Sequence, residues 1–344
     1  MSAKQLILVT GINGFLGAHL VDQLVNAGYR VRGTVRSSKL EFARENNGAY
    51  GDDVEVIAAD DLAFGDFTTA LEGVYGVIHA AAPMVGVDSA ENSLTASIEG
   101  AVNVLRQAQQ AGIKRFVLVS SQATVRLPDD YATPWKETEW FEITKEQALA
   151  SQHPGLVYVA EKVLAERAVW EFAEKHPSID VTTLTPPLFL GPFAPNFRFS
   201  DALVSQMSTD AVLYQLLNPS GTFFMDYALM TDIRDVARAF VHALRTPTDV
   251  GRKRLLFVPH SVGWKEIAEL VAKERPELKD RISKPALTDY LHPAPTNPAA
   301  DATRRAIELL ELGELTDWRK SVLDGVDSVL EAEKRFAKEG KMFH

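Results

Sequence analysis

Tyr158 and Lys162 stand four residues apart in the stretch TyrValAlaGluLys, at the start of a run with helical periodicity, so phenol and ammonium share one helix face a turn apart. That pairing suits proton transfer to a carbonyl oxygen. A neighbouring lysine cation, together with a positive oxidised cofactor beside it, favours the phenolate and is expected to draw the tyrosine from its usual value of about 10 towards neutrality. The phenol can then give a proton and take it back in the reverse direction. Ser120 and Ser121 end the apolar run that starts at Arg115. A hydroxyl at the carboxyl end of a strand lies where open α/β sheets bind their ligands, and it could hydrogen-bond the same oxygen. Adjacent strand residues point to opposite faces, so only one of the two serines can serve, and the pattern leaves both open.

A second signature opens the chain. ThrGlyIleAsnGlyPheLeuGly at 10–17 joins a first apolar run to a helical pattern. Backbone N–H groups at such a turn, with the positive end of the helix dipole behind them, can cradle a pyrophosphate. Glycines serve there for separate reasons: a tight turn, close approach of phosphate to backbone, and close packing of helix on strand. Gly11, Gly14 and Gly17 form a GxxGxxG variant of the dinucleotide fingerprint, and the candidate contacts are Gly11, Asn13, Gly14, Phe15, Leu16 and Gly17.

An NAD site usually carries an acidic residue about 20 residues further on, at the end of the second strand. Here residues 29–39 offer Arg30, Arg32, Arg36 and Lys39 instead. An arginine at that strand end can pair bidentately with a ribose 2′-phosphate and stack on adenine. NADP(H) is therefore the expected cofactor, with Arg36 as its chief contact and Arg32 and Lys39 as helpers. Where the third strand should end, Asp60, Asp61 and Leu62 offer a carboxylate to the adenine amino group or, equally, an N-cap for the next turn. After the fourth, Ala80, Ala81 and Ala82 have side chains small enough for backbone to pass close to a ribose.

These groups need a parallel sheet to place them. Short runs rich in Val, Ile and Leu at 6–10, 29–35, 54–58, 76–80 and 115–120 alternate with helical stretches at 16–27, 67–71 and 94–111, the βαβ rhythm of a sheet with helices on both faces. A sixth strand fits 181–185 and a seventh 254–258. Between them, 191–227 is dense in Phe, Pro, Asn and Ser without sustained periodicity, and after Pro259 come helical patterns at 263–273, 301–310 and 317–337 with a proline-rich stretch through Pro285, Pro293, Pro295 and Pro298. The expected fold is α/β: a Rossmann-type doubly wound parallel sheet with a smaller, mostly helical C-terminal substrate lobe. Its expected domains are 1–190 plus 227–259 for the cofactor and 191–226 plus 260–344 for the substrate.

Composition narrows the class further. The chain has 344 residues, 46% of them hydrophobic and 24% charged, with no apolar run near the roughly 20 residues of a membrane span. Without cysteine there is no disulfide framework, thiolate nucleophile or zinc–thiolate site, and a net charge of −10 opposes binding to nucleic acid or anionic membrane. No export signal is evident, so a cytoplasmic protein, monomer or homodimer, with no nucleic-acid or membrane partner is expected.

The chain resembles the extended short-chain dehydrogenase/reductase family, in particular the branch of fungal carbonyl, aldehyde and methylglyoxal reductases and plant dihydroflavonol and cinnamoyl-CoA reductases. The likeness spans nearly the whole chain and is carried by ThrGlyIleAsnGlyPheLeuGly at 10–17, ValArgGlyThrValArg at 31–36, ValIleHisAlaAlaAlaPro at 77–83, PheValLeuValSerSer at 116–121, TyrValAlaGluLys at 158–162 and LeuThrProProLeuPheLeuGlyPro at 184–192. It implies that Ser121 polarises a carbonyl, that Tyr158 is the proton donor and that Lys162 also holds the nicotinamide ribose. It also implies that Pro186 and Leu188 lie near the nicotinamide amide and Ala80 to Ala82 beside its ribose. ThrProPro stands where many relatives have an Asn-Pro pair. The expected activity is NADPH-dependent reduction of an aldehyde or ketone, a small-molecule carbonyl substrate. Its walls would come from Met84, Val85, residues 122–140, Phe193, Phe197, Phe199 and Phe224. The alternatives are a nucleotide-sugar epimerase or dehydratase on the same scaffold, and a non-enzymatic NADP(H)-sensing protein.

Overall fold

The computed structural model describes residues 3–83, 89–126, 133–151, 153–222, 224, 228–288 and 297–343. Met84, Val85, Tyr227, Pro293, Pro295 and residues 127–132 lie outside the described residues. Seven strands, β1 (Leu6–Thr10), β2 (Arg30–Val35), β3 (Val54–Ala58), β4 (Val74–His79), β5 (Arg115–Val119), β6 (Asp180–Thr185) and, later in the chain, β9 (Lys253–Leu256), pair in parallel in the order β3-β2-β1-β4-β5-β6-β9. β1 reads LeuIleLeuValThr and is buried along its whole length, as a central parallel strand covered on both faces must be.

The helix Phe15–Asn26 carries the chain from β1 to β2. Its stripe of Leu16, Leu20, Val21 and Leu24 is buried in the core cluster that also holds Ile7, Val9 and Val31, each large apolar side chain contributing about 1.5–3 kcal/mol by leaving water. The helices Ala90–Gln110 and Pro154–Lys175 pack against one another, and both bury residues in the cluster of Leu8, Val77 and Phe116. From β1 the chain winds outward through β2 to β3, then returns to β4 on the other side of β1. The carboxyl ends of β1 and β4, where Thr10 is registered with Thr34 on one side and His79 on the other, are thus a topological switch point, where open α/β sheets bind ligands.

The remaining strands, β7 (Leu188–Leu190), β8 (Ala228–Asp232) and β10 (His260–Val262), form a small sheet in the order β10-β8-β7. Its core is shared with the helices Ala211–Leu216, Trp264–Glu274 and Trp318–Lys338 through Leu213, Trp264, Ile267, Val322 and Val326. Both β7 and β8, grouped on sequence with the cofactor lobe, pair in this sheet. Strands of three and five residues are too short to show a period.

Candidate active site

The glycine turn has the shape its spacing predicts, and each glycine answers a different constraint. Gly11 has φ +78°, and a Cβ there would lie 3.0 Å from Ala81 Cα. At Gly17 a Cβ would meet Gly11 O at 2.2 Å, so only glycine lets the helix sit this close to the strand. Gly14 is exposed, and a Cβ on it would meet only Gly11 O, at 3.5 Å. Its open side faces no protein. Gly14 is also the N-cap of the helix Phe15–Asn26 and no side chain caps that end. The first bond back to the cap comes from Ala18, so the N–H groups of Phe15 and Leu16 precede the helical ladder. An uncapped N-terminus of 12 residues with its turn open at Gly14 fits a pyrophosphate. Asn13 is exposed on the same turn, while Phe15 and Leu16 bury their side chains.

Of the basic residues at the end of β2, Arg36 alone is exposed with its side chain in no hydrogen bond or ion pair among the described residues. It begins the turn Ser37–Lys39, which Asp60 holds by accepting from Ser37 N at 2.7 Å and from its hydroxyl. Those bonds, aided by the Arg36 charge, keep the Asp60 carboxyl below its ordinary range. Arg32, expected to help bind a 2′-phosphate, is engaged by protein. Its guanidinium pairs with Glu55 at 2.8 Å and donates to the carbonyls of Ala70 and Glu72 at 2.9 Å, so its donors tie strand to loop. Lys39 reaches the small lobe, donating to Ser200 Oγ at 2.9 Å. Asp61 takes the capping alternative: its Oδ1 accepts from Ala63 N at 2.9 Å and Phe64 N at 3.0 Å. Leu62 is half-buried, its carbonyl accepting from Asn103.

A network that sequence reasoning missed shapes the neighbouring strand end. Burial, with the Lys162 charge adding to it, pushes His79 down to about 3, so the ring is neutral. Thr10 Oγ1 lies 3.0 Å from His79 Nδ1 and accepts from the N–H groups of Ala80 and Ala81, also at 3.0 Å. With its lone pairs engaged, the hydroxyl donates to Nδ1, which places the ring proton on Nε2. The backbone at Ala80 and Ala81 is thereby pinned beside the glycine turn. A threonine ending β1 opposite a histidine ending β4 was the available signal.

The two serines part company at the end of β5. Ser120 is buried and its hydroxyl donates to Glu166 at 2.8 Å, beneath the sheet edge. Ser121 instead lies by Tyr158, close enough for its hydroxyl to bear on the phenol, and its Oγ accepts from Ala123 N at 3.3 Å. Alternation along the strand therefore places Ser121, not Ser120, in the constellation. Lys162 Nζ lies 6.0 Å from the centroid of the Tyr158 ring and donates to Val119 O at 3.4 Å. Without the positive nicotinamide that the expected lowering also called on, the tyrosine is shifted the other way. Burial raises Tyr158, with the Glu161 charge adding to it and only the Ser121 hydroxyl opposing, and burial lowers Lys162. The phenol thus keeps its proton throughout the neutral range.

Near this centre Pro186 is buried and its carbonyl accepts from Gln122 N at 3.0 Å, and Leu188 is half-buried. The aromatic candidates for substrate walls are mostly interior. Phe197 and Phe199 are buried, Phe197 stacked on Phe193 at 5.0 Å and Phe199 edge-on to it at 4.9 Å, and Phe193 packs on Phe15 at 5.6 Å, so they join the small lobe to the first helix. Phe224 packs on Trp264. A cavity of about 550 Å³ lies at the opposite, amino edge of the sheet among Arg115, Trp170, Asp180 and Arg252. Its arginines are already paired, Arg115 with Asp180 and Arg252 with Glu174, so it offers no counterpart to Arg36.

A model of the NAD-dependent epimerase/dehydratase family matches residues 7–257. The chain belongs to this family. Within it, the chain is 35% identical over 295 residues to a Schizosaccharomyces pombe protein named as an oxidoreductase, spanning 83% of this chain and 86% of that one. It is 32% identical to a Candida albicans protein named as an NADPH-dependent methylglyoxal reductase, spanning 96% and 100% of the two chains. In structure it is similar to the yeast methylglyoxal/isovaleraldehyde reductase solved with NADPH, with a TM-score of 0.82 over 96% of this chain and all of that one, at 23% identity. This last likeness speaks for the fold, a Rossmann-like parallel sheet with a helical C-terminal region.

Proposed function

We propose that this member of the epimerase/dehydratase family is an NADPH-dependent reductase that turns an aldehyde or ketone into an alcohol. The observation that carries the reading is the meeting of Ser121, Tyr158 and Lys162 at the carboxyl end of β5, on the sheet edge that also bears the glycine cradle. Relatives named as reductases favour it over epimerisation. When bound, NADPH supplies the hydride. Gly11, Gly14 and the helix N-terminus would hold its pyrophosphate, Arg36 its 2′-phosphate, and Lys162, Ala80 to Ala82, Pro186 and Leu188 its nicotinamide end.

Ser121 donates a hydrogen bond to the substrate oxygen, and Tyr158 gives that oxygen its proton as negative charge gathers there. Lys162 places a positive charge beside the phenolate left behind. Because burial holds the phenol protonated, the reductive kcat is expected to stay flat across the neutral range and to fall only at alkaline pH, while the reverse oxidation rises with pH; steady-state rates in both directions check this. In this reading residues 1–190 with 227–259 serve the cofactor and 191–226 with 260–344 the substrate. The protein is cytoplasmic, a monomer or homodimer, without a nucleic-acid partner. Among the described residues no helix is long and apolar enough to cross a membrane.

NADPH consumption across aliphatic aldehydes, aryl ketones, diketones, β-keto esters and flavonoids tests the function. No consumption with any of them would favour a sensing role, and isomerisation of a nucleotide sugar without loss of NADPH would favour an epimerase. Arg36→Asp tests the cofactor. Loss of a charge-assisted pair at about 1.5–3 kcal/mol is expected to weaken NADPH binding roughly 10- to 100-fold and to leave NADH binding little changed, read by fluorescence titration of both. Equal affinities before and after would remove Arg36 from the site.

A further inference from the structure

Glu166 follows Lys162 by one turn on the same helix face and is fully buried. Its two oxygens serve three other elements. Oε2 accepts from Ser120 Oγ at 2.8 Å, and Oε1 accepts from Thr183 Oγ1 in β6 at 2.6 Å and from Arg254 Nε in β9 at 3.0 Å. Arg254, also buried, spends its other donors on the chain that follows Ser121. Nη2 donates to Thr124 Oγ1 at 2.8 Å, and the Thr124 hydroxyl donates in turn to Ser121 O at 2.8 Å. Nη1 donates to the carbonyls of Glu137 and Glu139 at 2.6 and 2.5 Å, and the guanidinium lies 3.7 Å from the centroid of the Trp140 ring. A buried ion pair is a poor device for stability alone, because an apolar pair of similar volume often serves as well or better. What this pair has that an apolar pair lacks is charge and directed hydrogen bonds, and those bonds reach Ser120 and Thr124 on either side of Ser121.

We propose that Glu166, anchored by Arg254, is a positioning residue of the Ser121–Tyr158–Lys162 centre: the pair grips the Ser121 turn through Ser120 and Thr124, and its carboxylate supplies charge facing Lys162. The kinetic part of this inference rests on the reductase reading, and the electrostatic part on the one-turn spacing of Lys162 and Glu166 along the helix Pro154–Lys175. Lys162 is faced by Tyr158, Glu161 and Glu166 from its own helix, by neutral His79 from β4 and by the Val119 carbonyl of β5. Glu161 is itself engaged by Ser93 from the neighbouring helix. Burial pulls Lys162 down, and the charges of Glu161 and Glu166 oppose it. Without Glu166 the ammonium loses its proton at lower pH.

The test is Glu166→Gln, read two ways. In protein labelled with 13C at lysine Cε, the Lys162 resonance, assigned by its absence from Lys162→Met, should titrate at lower pH than in the wild type, and Glu166→Asp should return it towards the wild-type position. In steady state, kcat should fall about tenfold with NADPH affinity kept, and its alkaline limb should move in the same direction as the resonance. If Glu166→Gln fails to fold, Glu166→Gln with Arg254→Met removes both charges and the same resonance is followed there. A Lys162 titration unchanged in a folded variant overturns the proposal. A wild-type protein that consumes no NADPH with any carbonyl would remove the reductase reading, while the lysine titration still decides this one.

Discussion

Tyr158→Phe is expected to lower the reductive kcat by about 10²- to 10⁴-fold, the range that a positioned general acid supplies. The substitution deletes one oxygen and keeps the ring, so helix packing and thermal stability should hold, and NADPH affinity should stay within a few-fold. Ser121 remains to hydrogen-bond the substrate oxygen and Lys162 remains nearby, so the deficit isolates delivery of the proton. Burial raises the wild-type phenol, which therefore arrives at the reaction protonated, and the loss should be similar at every pH in the neutral range. Stopped-flow single turnovers with saturating NADPH separate this step from product release. Wild-type turnover in the variant, with the cofactor bound, would take the acid away from Tyr158.

The glycine cradle makes a second prediction, in which two similar substitutions fail in opposite ways. Gly17→Ala drives a methyl to 2.2 Å from Gly11 O and 2.8 Å from Ile12 Cα, backbone atoms that cannot turn aside. The helix must lift off the strand, at a cost of about 1–3 kcal/mol or more, and melting temperature and cofactor binding should fall together. Gly14→Ala has no such clash. Its φ of −81° and ψ of 168° suit any residue, and its methyl meets only Gly11 O at 3.5 Å, so stability should change by less than about 1 kcal/mol. That methyl nevertheless stands on the open side of the turn, where a pyrophosphate must approach the backbone. Loss of two charge-assisted hydrogen bonds at about 1.5–3 kcal/mol each predicts NADPH binding roughly 100-fold weaker or worse. Thermal melts beside NADPH titrations check both variants. A Gly14→Ala protein that binds NADPH like the wild type would mean that the pyrophosphate does not lie on this turn.

The parallel sheet was legible because its central strands are covered on both faces and so read as unbroken apolar runs, β1 most plainly. The glycine turn was legible because positive φ and close approach leave few residue types to choose from. Ser120 and Ser121 were not separable by type or spacing, since what divides them is which face each hydroxyl meets: Glu166 for one, Tyr158 for the other. Glu166 and Arg254 escaped notice because a lone charge on a helix or strand reads as a surface position until a partner distant in sequence covers it. The same blindness applied in reverse to Arg32, which looked available for a phosphate and is tied to Glu55 and three backbone carbonyls. The burial that raises Tyr158 was not legible from the i,i+4 lysine, because it depends on the packed structure around the phenol.

The most direct test of the central claim traces the hydride. NADPH carrying deuterium at nicotinamide C4, offered with the best carbonyl substrate of the panel, should be consumed one for one with the alcohol formed, and mass spectrometry should find the deuterium on the carbinol carbon. Alcohol without the label, or product formed with no net loss of NADPH, would contradict the assignment of this chain as an NADPH-dependent carbonyl reductase.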